Sequence, residues 1–64
     1  MKIEGVTYEV NWKAFRKGTS LFFPCLDYER AQAQLMVVVD RLQLKVLVKP
    51  VIEEGSRGLR VWRT

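Results

Sequence analysis

The sequence predicts a small α+β domain of two layers: one antiparallel sheet, built from strand, short helical turn, strand, helix and C-terminal hairpin, with a single amphipathic helix on one face. Three stretches carry that expectation. "VTYEVNW" alternates apolar and polar residues with a period of two, "YERAQAQLMVVVDRLQL" repeats its apolar residues at helical spacing, and "KVLVKPVIEEGSRGLRVWRT" holds two alternating arms around a glycine-containing turn. One sheet with one helix across it buries all of these stripes together. Residues 1–64 form one domain, since a chain of 64 residues has no room for two. It is 48% hydrophobic and 28% charged, a globular balance rather than a disordered one. A chain this short buries only about 60% of its unfolded surface, so its core must be efficient or helped by a partner.

In the first stretch Val6, Tyr8, Val10 and Trp12 point one way and Thr7, Glu9 and Asn11 the other, as in a half-buried strand. Asn11 is placed to cap a short turn, "WKAFR", in which Trp12 and Phe15, three residues apart, turn both rings towards the sheet. A second strand runs from about Thr19 to Phe23 and stops at Pro24, which cannot donate to a ladder. Asp27 is the N-cap of a helix over Asp27 to Gln43. Its buried stripe is Tyr28, Ala31, Leu35, Val38 or Val39, and Leu42, with Glu29 and Arg41 suiting the helix dipole at its two ends.

In the C-terminal hairpin Val46, Val48, Pro50 and Ile52 share one face, and Lys45, Leu47, Lys49 and Val51 the other; Leu59, Val61 and Arg63 alternate with Arg60, Trp62 and Thr64. "EEGSRG" supplies a loop of several residues, with Glu53 and Glu54 solvated in it. Pairing Ile52 with Leu59 sets Pro50 against Val61 and Val48 against Arg63. Pro50 argues that its strand lies at an edge or turns its missing N–H outward.

The residues assemble no recognisable catalytic pattern. Without histidine the commonest general base and metal ligand are gone, and Cys25 alone makes neither a disulfide, a zinc site nor a Cys–His nucleophile. "GSRG" is not a phosphate loop. The expectation is a protein that is not an enzyme and takes no cofactor or metal. The N-terminus lacks the apolar run of a signal peptide, and the apolar runs "LMVVV" and "VLV" are far short of the ~20 residues that span a bilayer, so a cytoplasmic protein with no membrane partner is expected.

Charge points to acidic partners. Eleven basic residues against seven acidic give a net charge of +4. On the outer sheet face Trp62 lies among Lys45, Lys49 and Arg60, the make-up of a stacking platform for single-stranded nucleic acid, DNA or RNA. Arg63 extends that strand, and "KAFRK" adds Lys13, Arg16 and Lys17 if its loop lies on the same side. The plain alternative is a solvated face holding one cross-strand pair of Lys49 and Trp62, and a slip of one residue would turn Trp62 inward. The helix offers a rival surface, because Met36 and Val37 fall on or near its outer side; either Met36 flanks the core and Val37 is a single exposed residue, or the two belong to an interface.

The stretches "VNWKAFRKGTSLFFPCLD" and "IEEGSRGLRVWR" resemble a set of small bacteriophage-encoded proteins: an aromatic turn, Gly-Thr-Ser, a phenylalanine-rich strand ending Pro-Cys-Leu-Asp, an amphipathic helix and a Gly-Leu-Arg-Val-Trp-Arg end. The resemblance implies expression in an infected bacterium and carries over no activity. Phe22, Pro24, Asp27 and Gly58 have structural reasons of their own, as strand core, strand stop, cap and turn. Two functions follow: a small nucleic-acid-binding protein, or an interaction protein that grips a host protein by a sheet edge or the helix. A homodimer is compatible with either.

Overall fold

The computed structural model describes all residues, 1–64. It has one helix and antiparallel strands in two sheets, an α+β arrangement. β1 (Lys2–Ile3) and β2 (Val6–Thr7) form a two-stranded hairpin of their own. A 3-10 turn over Trp12–Ala14 leads to β3 (Ser20–Pro24), α1 (Tyr28–Arg41), β4 (Val46–Glu53) and β5 (Ser56–Arg63). β3, β5 and β4 make the larger sheet, with β5 in the middle. The single sheet expected from the sequence is thus divided, and its first strand is not a member of the main one.

The physical reason lies in what alternation reports. Val6 and Thr7 of "VTYEVNW" pair with β1 and Tyr8 exchanges backbone bonds with Met1, but Val10 and Trp12 have no strand partner, and Val6 is exposed. Tyr8, Val10 and Trp12 still pack against the core, the Tyr8 ring edge-on to Phe23 at 5.3 Å between centroids. A period of two requires an extended chain with one face against the core, and it does not require a backbone partner. Asn11 precedes the 3-10 turn without a side-chain cap bond, and Trp12 meets Phe15 edge to face at 5.8 Å.

The helix follows its sequence signals closely. The Asp27 carboxylate accepts from the Arg30 N–H at 3.2 Å, and Ala31, Leu35 and Val39 form the fully buried line. That resolves the choice of Val38 or Val39 in favour of Val39, and leaves Leu42 exposed at the cap. The helix stops two residues before Gln43, which takes a left-handed conformation at φ 57°. The Leu44 N–H then donates to the Val39 carbonyl and the Gln43 N–H to that of Asp40, which satisfies the last open carbonyls.

One hairpin tip ties the small sheet to the helix. Ile3 is fully buried against α1, the Glu4 N–H donates to Gln34 Oε1 at 2.8 Å, and the Glu4 carboxylate accepts from the Leu26 and Asp27 N–H groups at 2.8 and 2.6 Å. The core is Ile3, Phe15, Phe23, Cys25, Ala31, Leu35, Val39, Leu59 and Val61.

Both hairpins turn on the same dipeptide. Glu4–Gly5 and Glu54–Gly55 have positive φ at both positions (52° and 79°; 51° and 79°), as a two-residue type I′ turn demands. The second replaces the longer loop expected from "EEGSRG". It pairs Glu53 with Ser56, Pro50 with Leu59, Val48 with Val61 and Val46 with Arg63. The register is thus two residues from the expected one. A shift of two keeps every side chain on its face, so the assignment of faces stands.

β4 is an edge strand, as Pro50 requires. The Thr64 N–H bonds to the Lys45 carbonyl at 3.0 Å. Alternation from there places Pro50 in a pair without ladder bonds, its absent N–H towards the free side. Pro24 closes β3, the other edge, in the same way.

Candidate nucleic-acid interface

The helix covers the face of the large sheet that carries Leu59 and Val61, and the opposite face is bare. Across it run Ser20, Phe22 and Pro24 of β3, then Trp62, Arg60 and Gly58 of β5, then Leu47, Lys49, Val51 and Glu53 of β4. Trp62 lies between Ser20 and Leu47 and is half-buried, so a part of its ring meets solvent. Leu47 beside it is 48% exposed, and Lys45 and Lys49 are exposed.

The sequence-predicted residues do not all stay available. Arg60 is committed: its Nε donates to Glu53 Oε2 at 2.8 Å, Nη2 pairs with Glu53 Oε1, and Nη1 donates to Ser20 Oγ at 3.1 Å. Glu53, expected in a solvated turn, is therefore a strand residue that neutralises the central cation of the face. The guanidinium also lies over the Phe22 ring, 5.5 Å from its centroid, and the Glu53 contact raises the Arg60 pKa, against a lowering by burial. Lys49 is opposite Arg60 rather than Trp62, whose cross-strand partner on β4 is Leu47. Arg63 faces the helix side, as its alternation requires. Its Nη1 donates to the Lys45 carbonyl at 3.2 Å and to the Thr64 carbonyl. Met36 packs against the core and Val37 stands exposed alone, so the helix offers no paired apolar surface there.

Phe22 and Gly58 need correction. Phe22 is on the bare face, half-buried, while the adjacent Phe23 is the core residue. Gly58 lies inside β5 rather than in a turn, and the Phe22 ring rests over it: a Cβ there would come within 2.6 Å of Phe22 Cζ and of the Phe23 carbonyl oxygen. Phe22 is thus a second aromatic group on the face. Its signal was available in the alternation of "SLFFP", read against Pro24 as a non-bonded edge position.

The basic loop ends where Trp62 does. The Gly18 N–H donates to the Arg63 carbonyl at 3.4 Å and the Arg63 N–H to Thr19 O at 3.0 Å, which fastens the exposed Arg16–Lys17 turn at the end of β5. Lys45 occupies the same end through its bond to Thr64. Lys13, in the 3-10 turn, is exposed.

Cys25 lies at the other end of the sheet, its N–H bonded to the Arg57 carbonyl at 3.0 Å. Burial pushes its thiol pKa up, the Glu4 carboxylate and more weakly Asp27 push the same way, and Arg57 opposes them. A free thiol ionises near pH 8.5. The stability that the neutral thiol contributes is intact below that value and is lost as pH climbs through the raised native one. Unfolding free energy is therefore expected to fall above about pH 8.5, and Cys25→Ala to flatten that decline. Alkylation of the native protein at pH 8 should run at least about tenfold slower than in denaturant; equal rates would disprove the burial argument.

No group of three or more metal-binding side chains is assembled, and no helix is long and apolar enough to cross a membrane. No protein-family model, no curated protein and no solved structure matches the chain.

Proposed function

We propose that this is a nucleic-acid-binding protein that takes single strands on the bare face of its large sheet. The observation that supports the reading most is the half-buried Trp62 on an uncovered sheet face, with Lys45 and Lys49 on that face and the Arg16–Lys17 turn fastened at its end. A base stacks on the indole, and the backbone phosphates meet Lys45, Lys49, Arg16 and Lys17. Arg60 and Arg63 serve the fold, through Glu53 and through the C-terminal carbonyls. The resemblance to small phage proteins gives the setting we propose with it, a bacterial cytoplasm during infection. The rival reading, capture of a host protein by a sheet edge or by Met36 and Val37, has less support: both edge strands of the larger sheet carry a proline, and of Met36 and Val37 only Val37 is exposed.

The test is a titration of tryptophan fluorescence with single- and double-stranded oligonucleotides. Four phosphate contacts to a single strand give a salt slope near −3, so affinity should fall about 50-fold between roughly 50 and 200 mM salt. Saturable quenching with that dependence supports the reading. An unchanged spectrum at low salt rejects it and returns the question to host proteins.

A further inference from the structure

The chain folds into a body with charge separated along its length. β4 and β5 are eight residues each, about 26 Å when extended, so their two ends are separated by most of a body that measures 28 × 22 × 18 Å. At one end are the first helical turn, the end of β3 and both Glu–Gly turns, which bring together Glu4, Asp27, Glu29, Glu53 and Glu54 of the seven acidic residues. Arg30, Arg57 and Arg60 are the cations there, and Arg60 is paired with Glu53. At the other end are the helix C-terminus and the starts of β3 and β4, with Arg16, Lys17, Arg41, Lys45 and Arg63 beside one carboxylate side chain, Asp40.

The acidic end is also open. A groove of about 520 Å³ lies between the two Glu–Gly turns, lined by Glu4, Val6, Pro24, Leu26 and Arg57 among others. Leu26 is 79% exposed and Val6 53%, while Ile52, near the tip of the β4–β5 hairpin, is 69% exposed. The basic end carries apolar residues of its own, Leu42 and Leu47, at 43% and 48%.

We propose that this groove receives the basic end of a second copy of the chain, head to tail. Charge complementarity selects that occupant: the cations of the basic end meet Glu4 in the groove, Glu29 of the first helical turn and Glu54 of the turn whose Gly55 lines it, against the single lining cation Arg57. Two identical acidic ends would repel each other, so a two-fold symmetric contact through the groove is disfavoured. Head-to-tail contacts do not use up their own surfaces, so copies add in an open row rather than closing as a pair. Each contact is weak. An end face of about 22 × 18 Å is well under the ~800 Å² per partner of a standard interface, and charge across it is screened within ~10 Å at 0.1 M salt. The basic end includes Leu47, Lys45 and the Arg16–Lys17 turn, which also border the bare sheet face, so this contact competes with single-strand binding there and is tested on the protein alone.

Sedimentation of the protein alone tests it, at several concentrations in about 25 mM and about 500 mM salt, where the Debye length shrinks several-fold. Weight-average mass should rise with concentration past the dimer at low salt and return to the 7.5 kDa monomer at high salt. The variant pair E29Q/E54Q and R41Q/K17Q supplies the geometry, with circular dichroism to show that each is folded. Each variant alone has one disabled end and should remain monomeric. Mixed, they should form a dimer and nothing larger, joined through the one intact acidic end and the one intact basic end. A parent chain monomeric at both salts leaves the groove to an unrelated protein and overturns the proposal. So does a closed dimer that salt does not dissociate, or a mixture of folded variants that stays monomeric.

Discussion

Gly58→Ala is expected to lower the melting temperature by about 12–24 °C, the largest loss from any single methyl group added to this chain. The new Cβ would be 2.6 Å from Phe22 Cζ, 2.7 Å from Phe22 Cε1 and 2.6 Å from the Phe23 carbonyl oxygen. A ring can swing aside, but the carbonyl belongs to the backbone of β3, the strand paired with β5 at Phe23 and Leu59. Relieving it means moving two strands apart in the middle of the sheet. Overpacking of a tight interior costs about 1–3 kcal/mol, and a backbone obstacle puts this site at the top of that range. A domain of this size has only about 3–10 kcal/mol in total. Thermal melts by circular dichroism decide it, with the double variant Gly58→Ala/Phe22→Ala alongside. The double variant removes the ring clash and keeps the carbonyl one, so it should remain well below Phe22→Ala alone. A single variant melting within a degree or two of the parent would show that the strands have room and that the close approach is not a constraint.

Trp62→Ala should weaken single-strand binding by about 1–3 kcal/mol, roughly 5- to 150-fold in Kd, while leaving the salt slope near its parent value. The indole supplies stacking and Lys45, Lys49, Arg16 and Lys17 supply charge, so the two readouts separate. Lys49→Gln should do the reverse, reducing the slope by nearly one unit with a modest loss of affinity. Arg60→Ala is the contrasting case. Its guanidinium is held by Glu53 and Ser20, so the substitution should lower stability and leave the salt slope almost unchanged. Because Trp62 is half-buried, Trp62→Phe accompanies it as a folded aromatic control, to be followed by fluorescence anisotropy of a labelled oligonucleotide. Full affinity in Trp62→Ala would remove the stacking mechanism even if the chain still bound through charge.

The candidate face could be read from the sequence to the extent that parity could be read. Alternation in the last twenty residues separates Leu59 and Val61 from Arg60 and Trp62, and a two-residue change of register leaves that separation intact. What each outer cation does could not be read the same way. Arg60 and Glu53 are seven apart in the chain, and the Glu54–Gly55 turn makes Glu53 a strand residue on the outer face, where its carboxylate reaches Arg60, rather than part of a solvated loop. The location of the Arg16–Lys17 turn was equally out of reach, because it depends on the Gly18 N–H donating to, and the Thr19 carbonyl accepting from, Arg63 over forty residues later.

By itself the sequence determined the α+β class, the helix with its Asp27 cap and buried line through Ala31 and Leu35, the strand stopped by Pro24 and the edge strand marked by Pro50, and which face of the hairpin is apolar. All of these follow from local propensity and from periodicity, which neighbouring residues encode. Tertiary structure decided whether "VTYEVNW" joins the sheet, which of Val38 and Val39 is buried, why Gly58 must be glycine, and which arginines are already occupied. Those outcomes depend on partners distant in the chain: Phe23 against Tyr8, Phe22 against Gly58, Glu4 against the helix N-terminus, and one end of the body set opposite the other in charge.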